Sequence, residues 1–307
     1  MLDEAPISVR RLPGAWARLF RPHQWSKNLL LLVPALGAHR LGLDVLEPAL
    51  VATGAFCLAA SSAYIVNDLL DREADRSHPV KSRRPIAAGE VSVPAALVVA
   101  AAALAAAFML AVTVSVPFVG ALVAYVATTV AYSLRLKRVP VLDVLVLASL
   151  YTLRILAGTL ATGVPTSSWL FTLAIFLFLS LALVKRTSEL RRLADAASGA
   201  LPASGRGMGS RGYSTADLET LSMLGVASGL LAVLVLALYL SSADVARLYA
   251  HHERLWLLCP LALYWVSRLW LLARRGLVDE DPVLFALTDR ASHLVGLGAL
   301  LVVLAGR

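Results

Sequence analysis

The chain has 307 residues, of which 59% are hydrophobic and only 16% charged, and its mean hydropathy is +0.75. Soluble chains run at about 45–50% apolar and about 25% charged, so this composition excludes one or two soluble domains, disorder and fibrous repeats, and makes the bilayer the main solvent. The net charge of +8 would suit nucleic acid, but basic membrane proteins also gather Lys and Arg on the cytoplasmic side, so its distribution decides.

A spanning helix needs roughly 20 mainly apolar residues, because about 30 Å of hydrocarbon is crossed at about 1.5 Å per residue. In chain order nine segments meet or approach that length: Trp25–Ala38, Leu46–Leu69, Pro94–Val114, Pro117–Leu134, Pro140–Thr162, Ser167–Val184, Leu218–Ser241, Leu255–Ala273 and Thr288–Ala305. The first is short and is interrupted by Pro34. No cleavable signal peptide is expected before it, since that stretch is basic and mixed. The expected fold is an all-α, polytopic membrane protein with nine transmembrane helices. Residues 1–24 are a cytoplasmic segment and 25–307 a single transmembrane domain, with cytoplasmic loops 71–93 and 185–217 and no soluble domain or internal repeat. Cys57 and Cys259 lie in apolar runs and suggest neither a disulfide framework nor a zinc site.

With the N-terminus inside, 21 of the 28 basic residues fall on one face, within 10–27, 72–84, 135–138, 185–211 and 274–275. The other face has only Arg40, Arg247, Arg254 and Arg307, and Arg154, Arg268 and Arg290 lie within or at the ends of helices. This asymmetry follows the positive-inside rule, puts the C-terminus outside, and argues against nucleic acid as a partner. The long connections are also the inner ones and hold most of the acids, so chemistry is expected on the cytoplasmic side of the cell (inner) membrane. The Gly/Ser-rich tract Ser198–Gly212 reads as a flexible linker or lid.

The sharpest feature is Asn67-Asp68-x-x-Asp71-x-x-x-Asp75 at the inner end of the second span. On a helix these four crowd one side. Three carboxylates that close repel unless a hard divalent cation lies between them, and Mg²⁺ is usually held by one or two carboxylates plus substrate phosphates. A solvated helix end paired with Arg72 and Arg76 is the bland alternative, but carboxylates at the mouth of a span are costly and usually functional. Just downstream, His78-Pro79-Val80-Lys81-Ser82-Arg83-Arg84-Pro85 places phosphate-binding cations in the same loop, which suits a diphosphate substrate.

The run Asn67 to Asp75, followed by Lys81, Arg84-Pro85 and Gly89 in a nine-span chain, resembles the UbiA superfamily of intramembrane prenyltransferases. The resemblance implies nine helices around a central cavity, Mg²⁺ at Asp68, Asp71 and Asp75, a diphosphate under a cytoplasmic cap, and a lipid entering between helices. Ordinary members carry a second aspartate-rich motif after the sixth span. Here the acids between Lys185 and Leu221 are Glu189, Asp195, Asp217 and Glu219, with no D-x-x-x-D pair. In its place stands Lys185-Arg186-x-x-Glu189-x-x-Arg192, in which Lys185, Glu189 and Arg192 would share a helix face directed toward the first motif. A basic face suits a substrate with an additional phosphate.

This pattern resembles the decaprenyl-phosphate phosphoribosyltransferase branch, as do Arg21-Pro22-x-Gln24-Trp25-x-Lys27-Asn28 and Asp281-Pro282-x-x-Phe285-Ala286-x-x-Asp289-Arg290. The resemblance implies transfer of phosphoribosyl from phosphoribosyl diphosphate to a polyprenyl phosphate, supplying cell-wall arabinan (arabinogalactan) precursors, with a homo-oligomer left open. Lys81, Arg84, Lys185 and Arg186 would hold the donor's phosphates, with Glu189 in the same cluster, Lys27 near the acceptor phosphate and Asn67 orienting a ligand. An ordinary prenyltransferase with an aromatic acceptor is the first alternative, and a non-catalytic lipid transporter or scaffold the second.

Two further readings are local. Arg154, beside Tyr151 deep in the fifth span, needs a partner or a cavity, so it either binds a phosphate or pairs with an acid. Asp143 and Asp289 stand at helix starts, where capping is the simplest role.

Overall fold

The computed structural model describes residues 12–77, 80–165, 167–197, 212–278 and 282–307. Its helices in chain order are α1 Leu12–Phe20, α2 Val33–Gly37, α3 Leu43–Leu70, α4 Arg72–Arg76, α5 Val93–Val114, α6 Val116–Leu134, α7 Leu142–Thr162, α8 Ser168–Ala197, α9 Leu218–Leu240, α10 Ala243–Leu248, α11 Leu258–Arg274, α12 Pro282–Thr288 and α13 Arg290–Gly306. No strand occurs among the described residues. Seven helices are long and apolar enough to cross a membrane, namely α3, α5, α6, α7, α8, α9 and α11, the last two taken with the 3₁₀ turns that lead into them. The α12–α13 pair makes an eighth span if its bend of 78° is taken within one crossing.

The first expected span, Trp25–Ala38, is where the structure departs from the nine-span reading. It forms an eleven-residue 3₁₀ stretch, Pro22–Leu32, that passes into the five-residue α2 at Val33, with Pro34 in the first turn of α2, where a missing N–H costs nothing. Hydropathy reads apolar length, and it had no means of foreseeing this tighter winding.

The chain divides into two compact units, one of Met1–Ser133 with Arg154–Pro165 and the other of Leu134–Leu153 with Thr166–Arg307. In the first, α5 is rich in Ala and Leu, strong helix formers, and starts at a Ser92 cap whose side chain accepts from the Ala95 N–H. Its buried positions are all alanine, Ala96, Ala100, Ala103, Ala107 and Ala111, a small-residue stripe that lets α3 approach. Ser62 of α3 donates to the Ala100 carbonyl at 2.8 Å across that seam. The opposite face of α5 is apolar and open, with Val98, Met109 and Val112 at least 68% exposed, as lipid contact requires. Gly158 of α7 meets the 3₁₀ stretch so closely that a Cβ there would lie 2.2 Å from the Leu31 carbonyl oxygen.

In the second unit α8 packs along α9. Gly225 of α9 leaves room for the Trp270 ring, and Ser180 of α8 links the three helices by donating to the Gly225 carbonyl at 2.8 Å and accepting from Trp270 Nε1 at 2.9 Å. α8 continues 13 residues beyond the expected end of its span at Val184, because Lys185–Ala197 is rich in helix formers although too polar for the hydrocarbon. Asp289 caps α13 as expected, accepting from the Ser292 N–H at 2.8 Å, and it also receives both guanidinium nitrogens of Arg268, at 2.7 and 3.0 Å.

Candidate active site

The acid motif lies where α3 ends and α4 begins, with Asp71 at the junction between them. The Asp75 N–H still bonds to the Asp71 carbonyl at 2.8 Å, so helical winding persists through the break. At about 100° per residue, Asn67, Asp71, Asp75 and Asp68 fall within one arc of about 100°, as the spacing implied. Arginines divide that arc. Asp68 and Asp75, seven residues apart and nearly in line, are each 3% exposed. Both accept from Arg84 Nη1, at 3.0 and 2.6 Å, and Asp68 also takes Arg21 Nη2 at 2.6 and 2.9 Å. At the other edge Asn67 Nδ2 donates to Asp71 at 3.0 Å. Two buried carboxylates on two guanidinium groups form a charge-balanced cluster, the condition under which such a group can leave water.

Arg21 is a residue that the sequence places in a motif without giving it a site role. It adopts a left-handed backbone, φ 51° and ψ 58°, although a proline follows, which disfavours that region further. Its guanidinium lies 5.2 Å from the Tyr64 ring centroid as well as on Asp68. Strain of this kind persists where surrounding contacts over-determine it, and it clusters at functional sites. Lys81 is half-buried in the 3₁₀ turn Lys81–Arg83, Arg83 is exposed, and Lys27 is half-buried in the Pro22–Leu32 stretch. His78 lies outside the described residues, as does most of Ser198–Gly212.

Arg154 satisfies the requirement that a deep charge find partners, though with dipoles rather than an acid in its hydrogen bonds to Asn28 and Tyr125. Nε donates to Asn28 Oδ1 at 2.9 Å and Nη2 to the Tyr125 hydroxyl at 3.1 Å, with the guanidinium carbon 4.8 Å from the Tyr125 ring centroid. Asn28 in turn donates to Cys57 Sγ at 3.3 Å. Tyr151, three residues earlier on α7, stacks on Phe178 with centroids 5.0 Å apart.

The second unit holds its own polar cluster. Arg186, 1% exposed, bonds to Asp143 and to Glu189. Asp143 stands in the first turn of α7, where an acid suits the helix N-terminus, and its fully buried carboxylate also takes Arg186 on one oxygen and the Tyr213 hydroxyl on the other at 2.5 Å. The same phenol oxygen accepts from the Val141 N–H at 2.7 Å, and the Arg186 guanidinium carbon lies 5.4 Å from the Tyr213 ring centroid. Burial, and then the Asp143 carboxylate that its O–H serves, push the Tyr213 hydroxyl above the usual tyrosine range. Tyr213 is a site residue that spacing had no way to reveal. Lys185 and Arg192, on the same helix as Arg186, are half-buried.

A magnesium ion fits the first cluster in one specific sense. Asp68 and Asp75 converge hard oxygens on one point, the Arg84 Nη1, while Asp68 also holds Arg21. No set of three or more His, Cys, Asp or Glu side chains suited to a metal occurs among the described residues. Two carboxylates are what Mg²⁺ takes when substrate phosphates complete its octahedron, so these residues suit an ion that arrives with a diphosphate rather than an all-protein cage.

The model of the UbiA prenyltransferase family matches residues 29–287. An uncharacterized protein, y4nM of Sinorhizobium fredii, is 37% identical over 96% of this chain, which covers 58% of that protein. Nodulation protein NoeC of Azorhizobium caulinodans is 34% identical over 91% of the chain and 88% of its own length. A decaprenyl-phosphate phosphoribosyltransferase of Mycolicibacterium smegmatis is 37% identical over 59% of each chain. In fold, a UbiA homolog from Archaeoglobus fulgidus bound to GPP and Mg²⁺ matches 95% of this chain and 98% of its own, with a TM-score of 0.66 at 20% identity. The chain is an integral membrane protein and belongs to the UbiA prenyltransferase family.

Proposed function

We propose that this protein transfers a 5-phosphoribosyl group from phosphoribosyl diphosphate to a polyprenyl phosphate, releasing pyrophosphate. The observation that carries the reading is the basic face of α8. Where ordinary relatives carry a second aspartate pair, this chain has Lys185-Arg186-x-x-Glu189-x-x-Arg192 on continuous helix. Such a face repels a second metal and attracts a second anionic group, and phosphoribosyl diphosphate has one in its 5-phosphate. The similarity to the mycobacterial phosphoribosyltransferases over 56–59% of the chain supports the same reading.

In this reaction the C1–O bond to pyrophosphate breaks and a bond forms from C1 to a phosphate oxygen of the lipid, with inversion at C1. The acceptor is already anionic, so no proton has to be removed and catalysis is positioning and electrostatics. The chemistry supplied by magnesium, when bound at Asp68 and Asp75 with Asp71 as the third candidate, is neutralisation of charge on the departing pyrophosphate. Arg84, Lys81 and Arg21 hold diphosphate oxygens. Asn67 orients Asp71. Lys185 is the phosphate-binding candidate of the second unit, whereas Arg186, expected to hold phosphate as well, is buried on Asp143 and Glu189 and serves to fix them. Lys27 attracts the acceptor phosphate, and Arg154 sets a positive potential around Asn28.

A second reading, transfer of a prenyl group to an aromatic acceptor, draws support from the fold shared with the prenyl diphosphate-bound homolog. The test offers purified protein labelled phosphoribosyl diphosphate with a polyprenyl phosphate, beside labelled prenyl diphosphate with 4-hydroxybenzoate, and counts organic-phase label. The first pair should give product that disappears with EDTA and falls roughly a thousandfold in Asp68→Asn, the scale of losing one metal carboxylate. Product from the second pair alone would overturn the assignment.

A further inference from the structure

The Asp68 and Asp75 side chains are 3% and 5% exposed, whereas those of the arginines that hold them, Arg21 and Arg84, are 21% and 24% exposed. The acids are therefore sealed in place, and the cations are the members of the cluster that face open space. All four belong to the first compact unit. The two arginines hold differently. Arg21 places Nη2 on both oxygens of Asp68, at 2.6 and 2.9 Å. Arg84 reaches Asp68 Oδ1 and Asp75 Oδ2 with one nitrogen, Nη1, at 3.0 and 2.6 Å, so its other two nitrogens take no part in the bridge. Its backbone is anchored independently, for the Arg84 N–H donates to the Lys81 carbonyl at 2.9 Å and the Arg84 carbonyl accepts from the Ala88 N–H at 2.8 Å. The side chain can leave the carboxylates without moving the loop.

The proposed function asks for Arg84 in a second place. Magnesium would take oxygens of Asp68 and Asp75, and the point on which those oxygens converge is Arg84 Nη1. An ion bound there must displace the guanidinium from two buried carboxylates, which offsets much of what the ion gains. A diphosphate changes that balance, because it offers Arg84 the bidentate oxyanion partner that a guanidinium binds best. We propose that Arg84 is an exchangeable occupant of the cation position, bridging Asp68 and Asp75 until a diphosphate draws it off, so that metal and diphosphate enter together. Arg21 stays on Asp68 through Nη2 and holds that carboxylate during the exchange. Two ligands are then coupled through one side chain, and the coupling is reciprocal. The inference rests on the magnesium and diphosphate part of the reading above, whichever group is transferred, and adds to it the residue that makes metal binding conditional.

The test reads metal binding rather than turnover. Mn²⁺, a paramagnetic stand-in for Mg²⁺, is titrated by electron paramagnetic resonance into the full chain in detergent, alone and with pyrophosphate, at about pH 8, where ordinary carboxylates are ionised. Thermal melting is followed in the same samples. Wild type should bind Mn²⁺ weakly alone and roughly tenfold or more tightly with pyrophosphate. Arg84→Gln clears the position. It should bind Mn²⁺ alone roughly tenfold more tightly than wild type, and Mn²⁺ should raise its melting temperature more than that of wild type. Arg84→Lys keeps the charge but makes only a point contact, so it should fall between them, and it decides the matter if Arg84→Gln does not fold. Arg83→Gln removes the same charge from the exposed neighbour and should behave as wild type. Affinity for Mn²⁺ alone that is equal to or below wild type in the Arg84 variants overturns the proposal, as does an equal gain in Arg83→Gln, which would make the effect one of net charge. A wild type that binds Mn²⁺ neither alone nor with pyrophosphate overturns the magnesium and diphosphate reading and this inference with it.

Discussion

Asp143 shows how much one buried carboxylate can organise. It ties Arg186 of α8 and Tyr213, which follows the long loop, to the start of α7. Deleting one member of a buried ion pair strands the other charge, at about 3–5 kcal/mol. Arg186 keeps Glu189, so Asp143→Ala should fall near the lower figure, seen as a lower melting temperature in detergent. Tyr213→Phe removes a donor to Asp143 and an acceptor for the Val141 N–H, and should cost about 1–3 kcal/mol. The pH dependence has a definite sign. The Tyr213 hydroxyl is raised above its ordinary value of 10.0. Its contribution is therefore complete below pH 10 and is lost as pH rises through the folded-state value. Melting followed from pH 8 to pH 11 should show an alkaline decline in wild type that is smaller in Tyr213→Phe. An equal decline in both would assign the pH dependence to other groups.

Among the elements, what hydropathy could read was the membrane rather than the helix. Leu46–Leu69 became Leu43–Leu70 and Pro94–Val114 became Val93–Val114, because an apolar run of that length leaves the backbone no other way to satisfy itself in lipid. α8 outran its expected end at Val184, since polar helix formers continue the winding in water. The site was legible to the same extent. Asn67 with Asp71 and Asp68 with Asp75 follow from helical spacing alone. Arg21 reaches Asp68 across 47 residues and Tyr213 reaches Asp143 across 70, separations at which periodicity carries no information. The approach of the Pro22–Leu32 stretch to α7 belongs to this second class, and Gly158 permits it. A methyl there meets the Leu31 carbonyl oxygen, a backbone atom that cannot rotate away. Gly158→Ala should destabilise by about 1–3 kcal/mol. Gly120→Ala in α6, where a Cβ meets nothing within 4 Å, should be neutral or slightly stabilising through helix propensity. Equal melting temperatures for the two variants would show that the close approach at Gly158 does not constrain the packing.

For the molecule as a whole the open quantity is the parity of its crossings, which turns on the Pro22–Gly37 segment. Eleven residues of 3₁₀ helix and five of α-helix extend about 30 Å, the thickness of the hydrocarbon, although they number only 16. Arg21 at one end meets Asp68 near the end of α3, and Ala35 at the other packs on Val45 near its start, so the segment runs back along a spanning helix. Arg18, before it, pairs with Glu90 in the loop that follows α4. If 22–37 crosses the membrane and α12 with α13 counts as one, the crossings number nine and the C-terminal residues are expected opposite the 71–93 loop, the arrangement in which 21 of 28 basic residues would fall on one side. Single cysteines in a Cys57→Ser, Cys259→Ser background decide it with a membrane-impermeant maleimide on intact cells and on inverted vesicles. Arg18→Cys and Arg83→Cys should label together from the cytoplasmic side, and Arg40→Cys and Arg307→Cys together from the other. If Arg18→Cys labels with Arg40→Cys, the segment does not cross, and the contact of Arg21 with Asp68 cannot be the one made in the membrane. If Arg307→Cys alone changes sides, the bend at Asp289 marks a re-entrant pair instead of a crossing.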